Sequence, residues 1–229
     1  MVKILFILTN QGQLGASGHA TGWYLPEVAH PYNILVEKGH EIVIASPKGG
    51  PTPLDPDSKV AFANDPECIK FLANSKAMSD MENSLLVANM KSTDFAAVFF
   101  PGGHGPMFDL ADCAAAQQIV REIYERETGI VSGVCHGSIG LANVKLSNGE
   151  FLVKGRRLTG FSNAEETAVD VAKWMPLSLE DTVNANGGNF ITAENWAENV
   201  IVDGRIITGQ NPSSSALVGK TLNEALSKL

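Results

Sequence analysis

The chain has 229 residues, of which 44% are hydrophobic and 18% are charged, and it carries a formal net charge of −8. This composition is typical of a globular protein with a large buried core, and the length fits one α/β domain over residues 1–229. The acidic balance and the lack of any lysine and arginine cluster predict a protein that binds neither nucleic acid nor an anionic membrane.

The first apolar run, Ile4–Leu8, is followed directly by the polar Thr9. It is too short for the core of a signal peptide or for a membrane span, so it predicts a buried strand. Further apolar runs alternate with segments of helical periodicity, and this pattern predicts a parallel sheet covered by helices. The predicted strands are Val2–Leu8, Glu41–Ala45, Ala97–Phe100, Ile130–Val134 and Ile206–Thr208, and the predicted helices are Gly22–Lys38, Ala114–Glu127 and Ser213–Leu226.

Turn residues mark the boundaries between these segments. Gly39 predicts the end of a helix, and Asn211 followed by Pro212 predicts the start of another. The Pro-rich stretch Ser46–Pro56 predicts an irregular surface loop. Two extra hairpins are predicted from Asn-Gly and Asp-Gly dipeptides. They are Val144–Ser147 with Glu150–Val153, and Val200–Val202 with Arg205–Ile207.

The three cysteines are Cys68, Cys113 and Cys135. Their odd number, their wide spacing and the lack of a C-x-x-C pair argue against a disulfide framework and against a structural zinc site. A reducing compartment suits such a protein, so we predict a cytoplasmic location.

The stretch Gly133-Val134-Cys135-His136-Gly137 has the form of a nucleophile elbow, with cysteine at the position of the nucleophile. A predicted strand precedes it, and a short helix is predicted after it over Ser138–Ala142. The glycines are needed because a sharp strand-to-helix turn leaves no room for side chains beside the nucleophile. The N-terminus of the following helix would favour the thiolate. We therefore predict Cys135 as a catalytic nucleophile rather than a structural cysteine.

A second segment of interest, Pro101–Pro106, contains Gly102, Gly103 and His104 directly after a predicted strand. The glycines would allow a backbone N–H group to approach a ligand oxygen closely. In a parallel sheet this loop and the elbow meet at the carboxyl ends of the strands, where open α/β folds bind ligands.

Several histidines and acids are candidates for proton transfer. His136 adjoins the thiol and is the first choice as general base, with His104 or His19 as alternatives. Packing roles are expected for His30 and His40. The candidate acids are Glu27, Glu165 and Glu166, and burial of Glu27 in its apolar surroundings would raise its pKa.

Cofactor signals are weak along the chain. The spacing Gly12-x-x-Gly15-x-x-Gly18 is not that of a dinucleotide-binding or P-loop motif. Glu27 and His30, together with His104, could supply two histidines and a carboxylate to a metal, but such spacing is common by chance. We expect neither a metal nor a cofactor.

Five ordered segments together resemble the ThiJ/PfpI superfamily, and more narrowly its branch of thirty-one-kilodalton heat-shock chaperones and glutathione-independent glyoxalase III. The resemblance extends over almost the whole chain. The segments are Ala20–Tyr32, Pro101–Gly105, Val134–Gly137, Thr159–Glu166 and Thr208–Pro212.

The resemblance implies a flavodoxin-like three-layer sandwich with a mostly parallel central sheet, related to class I glutamine amidotransferases, and a homodimer. It implies Cys135 as nucleophile, His136 as its partner in a Cys-His-acid triad and Glu27 as the carboxyl group that touches the sulfur. The third triad member would be Glu166, with Glu165 as the alternative one residue away. The backbone N–H groups of Gly103 and His136 would form the oxyanion hole.

The activity that the resemblance implies is conversion of methylglyoxal and similar small 2-oxoaldehydes to 2-hydroxy acids through a hemithioacetal on the cysteine. Two other classes use the same thiol. A cysteine amidase or peptidase would need the same histidine and oxyanion hole. A stress chaperone would need no turnover of a substrate, and neither would a redox sensor in which Cys135 becomes oxidised.

Overall fold

The computed structural model describes residues 1–228. Nine strands form in this part of the chain, and the longer ones coincide with the apolar runs. They are β1 (Lys3–Ile7), β2 (Glu41–Ser46), β3 (Leu85–Leu86), β4 (Ala97–Phe100), β5 (Ile130–Val134), β6 (Arg157–Leu158), β7 (Asn189–Phe190), β8 (Val200–Asp203) and β9 (Ile206–Gly209).

Within residues 1–228, ten α-helices separate or flank these strands, together with several short 3-10 turns. The helices are α1 (Leu25–Glu37), α2 (Pro56–Ala61), α3 (Pro66–Leu72), α4 (Ser75–Glu82), α5 (Pro106–Asp109), α6 (Ala114–Glu125), α7 (Ile139–Ala142), α8 (Asn163–Ala168), α9 (Leu179–Ala185) and α10 (Ser215–Leu226). None of the helices within residues 1–228 is both long enough and apolar enough to cross a membrane.

The central sheet has seven strands in the order β3-β2-β1-β4-β5-β9-β8. All neighbours are parallel except β8, which pairs antiparallel with β9 at one edge. A separate pair, β6 with β7, is parallel and contains two residues per strand. This is the mostly parallel, flavodoxin-like α/β architecture that the sequence predicted.

Apolar side chains fill both faces of the sheet, as expected for a parallel sheet between two helical layers. Along β1, Ile4 and Phe6 belong to one buried cluster, whereas Leu5 and Ile7 belong to the other. On the first face α1 packs against α3 and α10. On the second face lie α6, α7 and α9. The strands therefore end at an edge that is held between two packed helical layers.

The predicted boundaries hold for most elements, with two corrections. The first helix begins at Leu25 rather than Gly22 because Trp23 is extended and its N–H donates to the carbonyl of Pro53 over 2.9 Å. The last helix begins at Ser215, after a 3-10 turn that follows Asn211. Asn211 is at the N-cap of that turn and Pro212 is its first residue, as predicted, although the Asn211 side chain makes no capping hydrogen bond.

The two predicted hairpins differ in outcome. Strands β8 and β9 confirm the second one, around Gly204. At the first, the turn forms at Gly149, which has φ +83°, but a single bridge between Lys145 and Phe151 replaces the predicted strands. The reason is that the consecutive Leu152 and Val153 are both buried in one cluster, whereas a strand would direct them to opposite faces.

Candidate active site

Cys135 lies where β5 turns into a 3-10 turn that continues as α7. Its φ is +55°, in the left-handed region that non-glycine residues rarely adopt. The turn is tight: a Cβ on Gly137 would lie 2.2 Å from the carbonyl oxygen of Phe100, and one on Gly133 would lie 2.9 Å from Cα of Ser138. The glycines therefore permit the strained turn that was predicted, with the cysteine at its apex.

The loop after β4 passes directly beside this cysteine. A Cβ on Gly102 would lie 2.4 Å from Oε2 of Glu27 and 2.8 Å from Cβ of Cys135. Gly103 has φ +99°, and a Cβ there would lie 2.2 Å from the carbonyl oxygen of Gly22. Both glycines are thus required by close contact, which brings the loop, α1 and the elbow to one point.

A chain of polar contacts begins at the sulfur. Sγ of Cys135 lies 3.5 Å from Nδ1 of His136, and Nε2 of His136 lies 2.6 Å from Oε2 of Glu166. Nε2 of His104 lies 3.3 Å from the other oxygen of Glu166. The structure therefore brings together a thiol, two imidazoles and a carboxylate at the carboxyl edge of the sheet.

The charges of these groups follow from their contacts. Burial acts to raise the pKa of Glu166, but the attraction of His136 and His104 and the hydrogen bond from His136 outweigh it and hold that pKa well below its usual range. An ionised carboxylate only accepts hydrogen bonds, so the ring proton of His136 lies on Nε2 and Nδ1 is left as an acceptor facing the sulfur. Burial, followed by the neighbouring His104, lowers the pKa of His136 and keeps the ring neutral.

Glu27 is completely buried on α1. Burial raises the pKa of its carboxyl well above the usual value, and contacts with the Cys135 thiol and the N–H of Gly102 offset only part of this. Within residues 1–228, neither carboxyl oxygen has a well-aligned hydrogen-bond partner. Such surroundings favour the protonated form of the carboxyl group, which can donate a hydrogen bond to the sulfur.

The thiol itself is subject to opposing effects. Burial and a charged Glu27 raise the pKa of Cys135, whereas the N–H groups of His136 and Gly103 lower it. Burial therefore outweighs the helix N-terminus from which the sequence predicted a thiolate. Protonation of Glu27 removes the negative charge that opposes ionisation of the sulfur. The two groups therefore titrate as a coupled pair. The two N–H groups are those that the resemblance implies for the oxyanion hole.

The neighbouring acids of α8 have different surroundings. Glu165 closes a capping box with Ser162: its Oε2 accepts hydrogen bonds from the backbone N–H and the hydroxyl of that residue over 3.0 and 2.9 Å. Its other oxygen accepts from the N–H of Trp196 and from Nδ2 of Asn211, both over 2.9 Å. Only Glu166 contacts His136, so Glu166 rather than Glu165 has the position of a triad acid.

The remaining histidines lie outside this cluster. His19 is exposed, His40 contacts Oδ1 of Asn223 over 3.1 Å, and His30 contacts Oδ1 of Asp65 over 3.1 Å. The metal set considered from Glu27, His30 and His104 is therefore not assembled. Within residues 1–228, two other groups have the spacing of metal ligands, namely His30 with Asp65 and Cys68, and His104 with His136 and Glu166.

The other two cysteines are also distant from this chemistry. Burial and the nearby Asp65 raise the pKa of Cys68 to about 12. Cys113 is half-buried at the start of α6. All three cysteines are unpaired, and only Cys135 borders the cavity described next.

A cavity of about 100 Å³ opens beside Cys135. Its walls are mostly apolar, and several of the residues that form them were not predicted from the sequence. Trp196 follows a polar stretch between predicted elements, and no local motif marks it. Phe161 links the cavity to the triad, since its ring centroid lies 4.5 Å from that of His136. The lining residues are Tyr24, Glu27, Gly103, His104, Cys135, His136, Phe161, Val169, Trp196 and Pro212.

Fold and site together define an α/β protein with a buried cysteine on a strand-to-helix turn, next to a histidine and two carboxyl groups. The model of the DJ-1/PfpI family matches residues 20–225, and the chain belongs to this family.

Similar proteins include glyoxalase 3 of Candida albicans, which is 31% identical over 231 residues that cover 94% of each protein. The glutathione-independent glyoxalase HSP31 of Saccharomyces cerevisiae is 29% identical, with 93% of each covered. Among solved structures, the Rapid Encystment Protein 24 KDa of Francisella tularensis matches with a TM-score of 0.94 and 35% identity over 99% of both chains. Glyoxalase III from Candida albicans matches with a TM-score of 0.89 and 29% identity, covering 98% of this chain and 97% of that one.

Proposed function

We propose that the protein is a glutathione-independent glyoxalase that converts methylglyoxal and similar 2-oxoaldehydes to 2-hydroxy acids, with Cys135 as nucleophile. The observation that carries this proposal is a buried thiol beside a buried carboxyl group, Glu27, in a cavity of about 100 Å³. The names of the relatives that match nearly the whole chain support the same activity.

The first step is addition of the thiol to the aldehyde carbon. Nδ1 of His136 takes the thiol proton, because Glu166 holds the ring proton on Nε2. A carbon–sulfur bond forms, and the electron pair of the carbonyl moves to its oxygen. The N–H groups of Gly103 and His136 stabilise the developing charge, and Glu27 donates its proton to give the hemithioacetal.

The second stage moves a hydrogen between the two carbons. Glu27, now a carboxylate, removes the proton from the carbon that bears sulfur, and protonated His136 gives its proton to the ketone oxygen, which yields an enediol. Glu27 returns its proton to the second carbon while His136 takes one from the first hydroxyl, so that a thioester forms. Water then hydrolyses the thioester and releases the 2-hydroxy acid and the thiol.

The size of the cavity favours this activity over hydrolysis of peptides or large amides. Peptide substrates need room for an acyl chain on one side of the nucleophile and a leaving group on the other. Here Glu27 contacts Cys135, and the ring centroid of Phe161 lies 4.5 Å from that of His136. A three-carbon aldehyde suits such a space better than an extended chain.

The experiment is an assay of the purified protein with methylglyoxal in the absence of glutathione, followed by chiral analysis of lactate. We expect lactate in equimolar yield from the wild type and none above background from Cys135→Ser. Cys68→Ser and Cys113→Ser are the matched controls and should keep near-normal rates. Lactate formation by Cys135→Ser at the wild-type rate would overturn the proposed mechanism.

A further inference from the structure

Trp196 forms part of the cavity wall although it belongs to an irregular loop between β7 and β8. Its ring centroid lies 5.6 Å from that of Phe161, and 46% of the residue is exposed. The residue therefore borders both the cavity and solvent. This is the position of a residue that limits the size of what reaches Cys135.

The backbone at Trp196 is held in a strained conformation. Its φ is +65°, which a bulky side chain adopts only when surrounding contacts enforce it. The enforcing contact is the hydrogen bond from its N–H to Oε1 of Glu165 over 2.9 Å. Glu165 is fully buried, and its two oxygens accept four hydrogen bonds in all.

The segment after β9 supplies the other anchors of this loop. Buried Asn211 donates from Nδ2 to Oε1 of Glu165 over 2.9 Å and to the carbonyl of Ala197 over 2.8 Å. Oε1 of the buried Gln210 accepts from the N–H of Ala193 over 2.8 Å. The side chains of Gln210 and Asn211 thus hold the loop on both sides of Trp196.

We propose that Trp196 sets the upper size of the substituent that the active site accepts, and that Glu165 and Asn211 are positioning residues that hold it in place. The inference rests on the proposed function only for the identity of the substrate, since access to the sulfur is a property of the cavity. It predicts a preference for 2-oxoaldehydes with a small alkyl group over those with an aromatic ring.

The test compares two alkylating reagents with the same reactive group, iodoacetamide and its N-benzyl derivative. Site-specific mass spectrometry gives the rate at which each modifies Cys135. In Trp196→Ala we expect the ratio of the bulky to the small rate to rise by about tenfold, the discrimination typical of an apolar wall. Trp174→Ala, which alters a tryptophan outside the cavity, should leave the ratio within about twofold of wild type.

The positioning residues are tested by Glu165→Gln and Asn211→Ala. Both should shift the ratio in the same direction as Trp196→Ala, because glutamine offers one acceptor oxygen instead of two and alanine offers no donor. Asn211→Ala leaves the capping box of α8 intact, so it decides the question if Glu165→Gln does not fold. A ratio unchanged in folded Asn211→Ala and Trp196→Ala would overturn the proposal.

A second arm compares kcat/KM for methylglyoxal and phenylglyoxal in the same variants. Trp196→Ala should raise the phenylglyoxal-to-methylglyoxal ratio by about tenfold. If the alkylation ratio rises but the wild type turns over neither aldehyde, the proposed function fails and the size limit stands. If both aldehydes are substrates and neither ratio changes, the size limit fails and the proposed function stands.

Discussion

Glu27 and Cys135 illustrate how one buried carboxyl group controls a neighbouring thiol. In the proposed mechanism Glu27 first donates a proton and then abstracts one from carbon. General acid–base catalysis typically contributes about 10²–10⁴-fold to a rate, so Glu27→Gln should lower kcat for methylglyoxal by a factor in this range. The thiol should still react with iodoacetamide, because His136 accepts its proton. Retention of most of the activity would assign the proton transfer to His136 alone.

The same carboxyl group predicts a dependence of stability on pH. The folded chain keeps the Glu27 proton, because burial raises this pKa, whereas the unfolded chain loses it near the usual value of about 4.3. Above that pH the folded state binds more protons than the unfolded state, so the contribution of Glu27 to stability falls as pH rises. Glutamine at this position does not ionise, so it makes no such pH-dependent contribution to stability.

The measurement uses Cys135→Ser as background, which removes the titration of the thiol. The stability of Cys135→Ser/Glu27→Gln relative to Cys135→Ser should increase with pH by up to about 1.4 kcal/mol per pH unit above about pH 4.3. Denaturant unfolding between acidic and neutral pH gives this difference directly. A difference that does not change with pH would contradict a raised pKa at Glu27.

Metal removal should leave the activity unchanged. Nε2 of His136 is already engaged by Glu166 over 2.6 Å, and its Nδ1 is the group that serves the thiol. An ion bound between His104, His136 and Glu166 would replace that bond, so added zinc should inhibit rather than activate. Activity after exhaustive chelation and dialysis, with and without zinc, checks this; activation by zinc would contradict it.

The identity of the acid next to His136 could have been read from the sequence with one further step. Ser162 and Glu165 have the S-x-x-E spacing of a capping box, which directs Glu165 back to the start of its helix. The next residue is rotated by about 100° around the helix, so Glu166 can face another element. Trp196, by contrast, is held at the cavity by hydrogen bonds to residues distant in the sequence. Such contacts leave no pattern in the residues around Trp196.

At the scale of elements, the carboxyl ends of the strands position the active site. The glycines of the loop after β4 allow that loop to pass close to Cys135 and Glu27. Gly102→Ala should therefore disrupt the active site, because the new Cβ would lie 2.4 Å from Oε2 of Glu27 and 2.7 Å from the carbonyl oxygen of Val134. We expect a loss of about 100-fold or more in kcat together with lower thermal stability.

The matched control is Gly12→Ala, where the nearest atom to the new Cβ is a side-chain carbon of Pro53 at 3.3 Å. This variant should retain nearly normal activity and stability, since a proline ring carbon can shift slightly. Equal behaviour of the two variants, measured by kcat and thermal unfolding, would show that the close contacts of Gly102 do not control the site.

The strands that pack on both faces could be predicted almost to the residue, because Ala97–Phe100 is a continuous apolar run and Ile130–Val134 is interrupted only by Ser132 and Gly133. The helices α2 to α4 were not predicted individually. They are six to eight residues long, and each begins with an Asp or Asn cap whose signal is weak beside the Pro-rich loop before them. Short strands such as Leu85–Leu86 form because a neighbouring strand provides an edge, which is not a local property.

For the molecule as a whole, the resemblance implies a homodimer, and this stays a prediction. Light scattering coupled to gel filtration should give about twice the chain mass of 24.4 kDa. A mass of one chain at micromolar concentration would contradict it. Since Cys135, His136 and Glu166 contact one another within one chain, we expect dilution to lower the activity little.

The small volume beside Cys135 has a practical consequence for chemical proteomics. Reactive cysteines are commonly found with electrophiles that carry a dye or a biotin group. A cavity of about 100 Å³ behind Trp196 admits few atoms beyond the reactive group itself. A bulky probe would label the half-buried Cys113 in preference to the cysteine at the active site, and the protein would be scored as unreactive at Cys135. Labelling in two steps, with a small alkyne reagent first and the reporter added after denaturation, avoids this error.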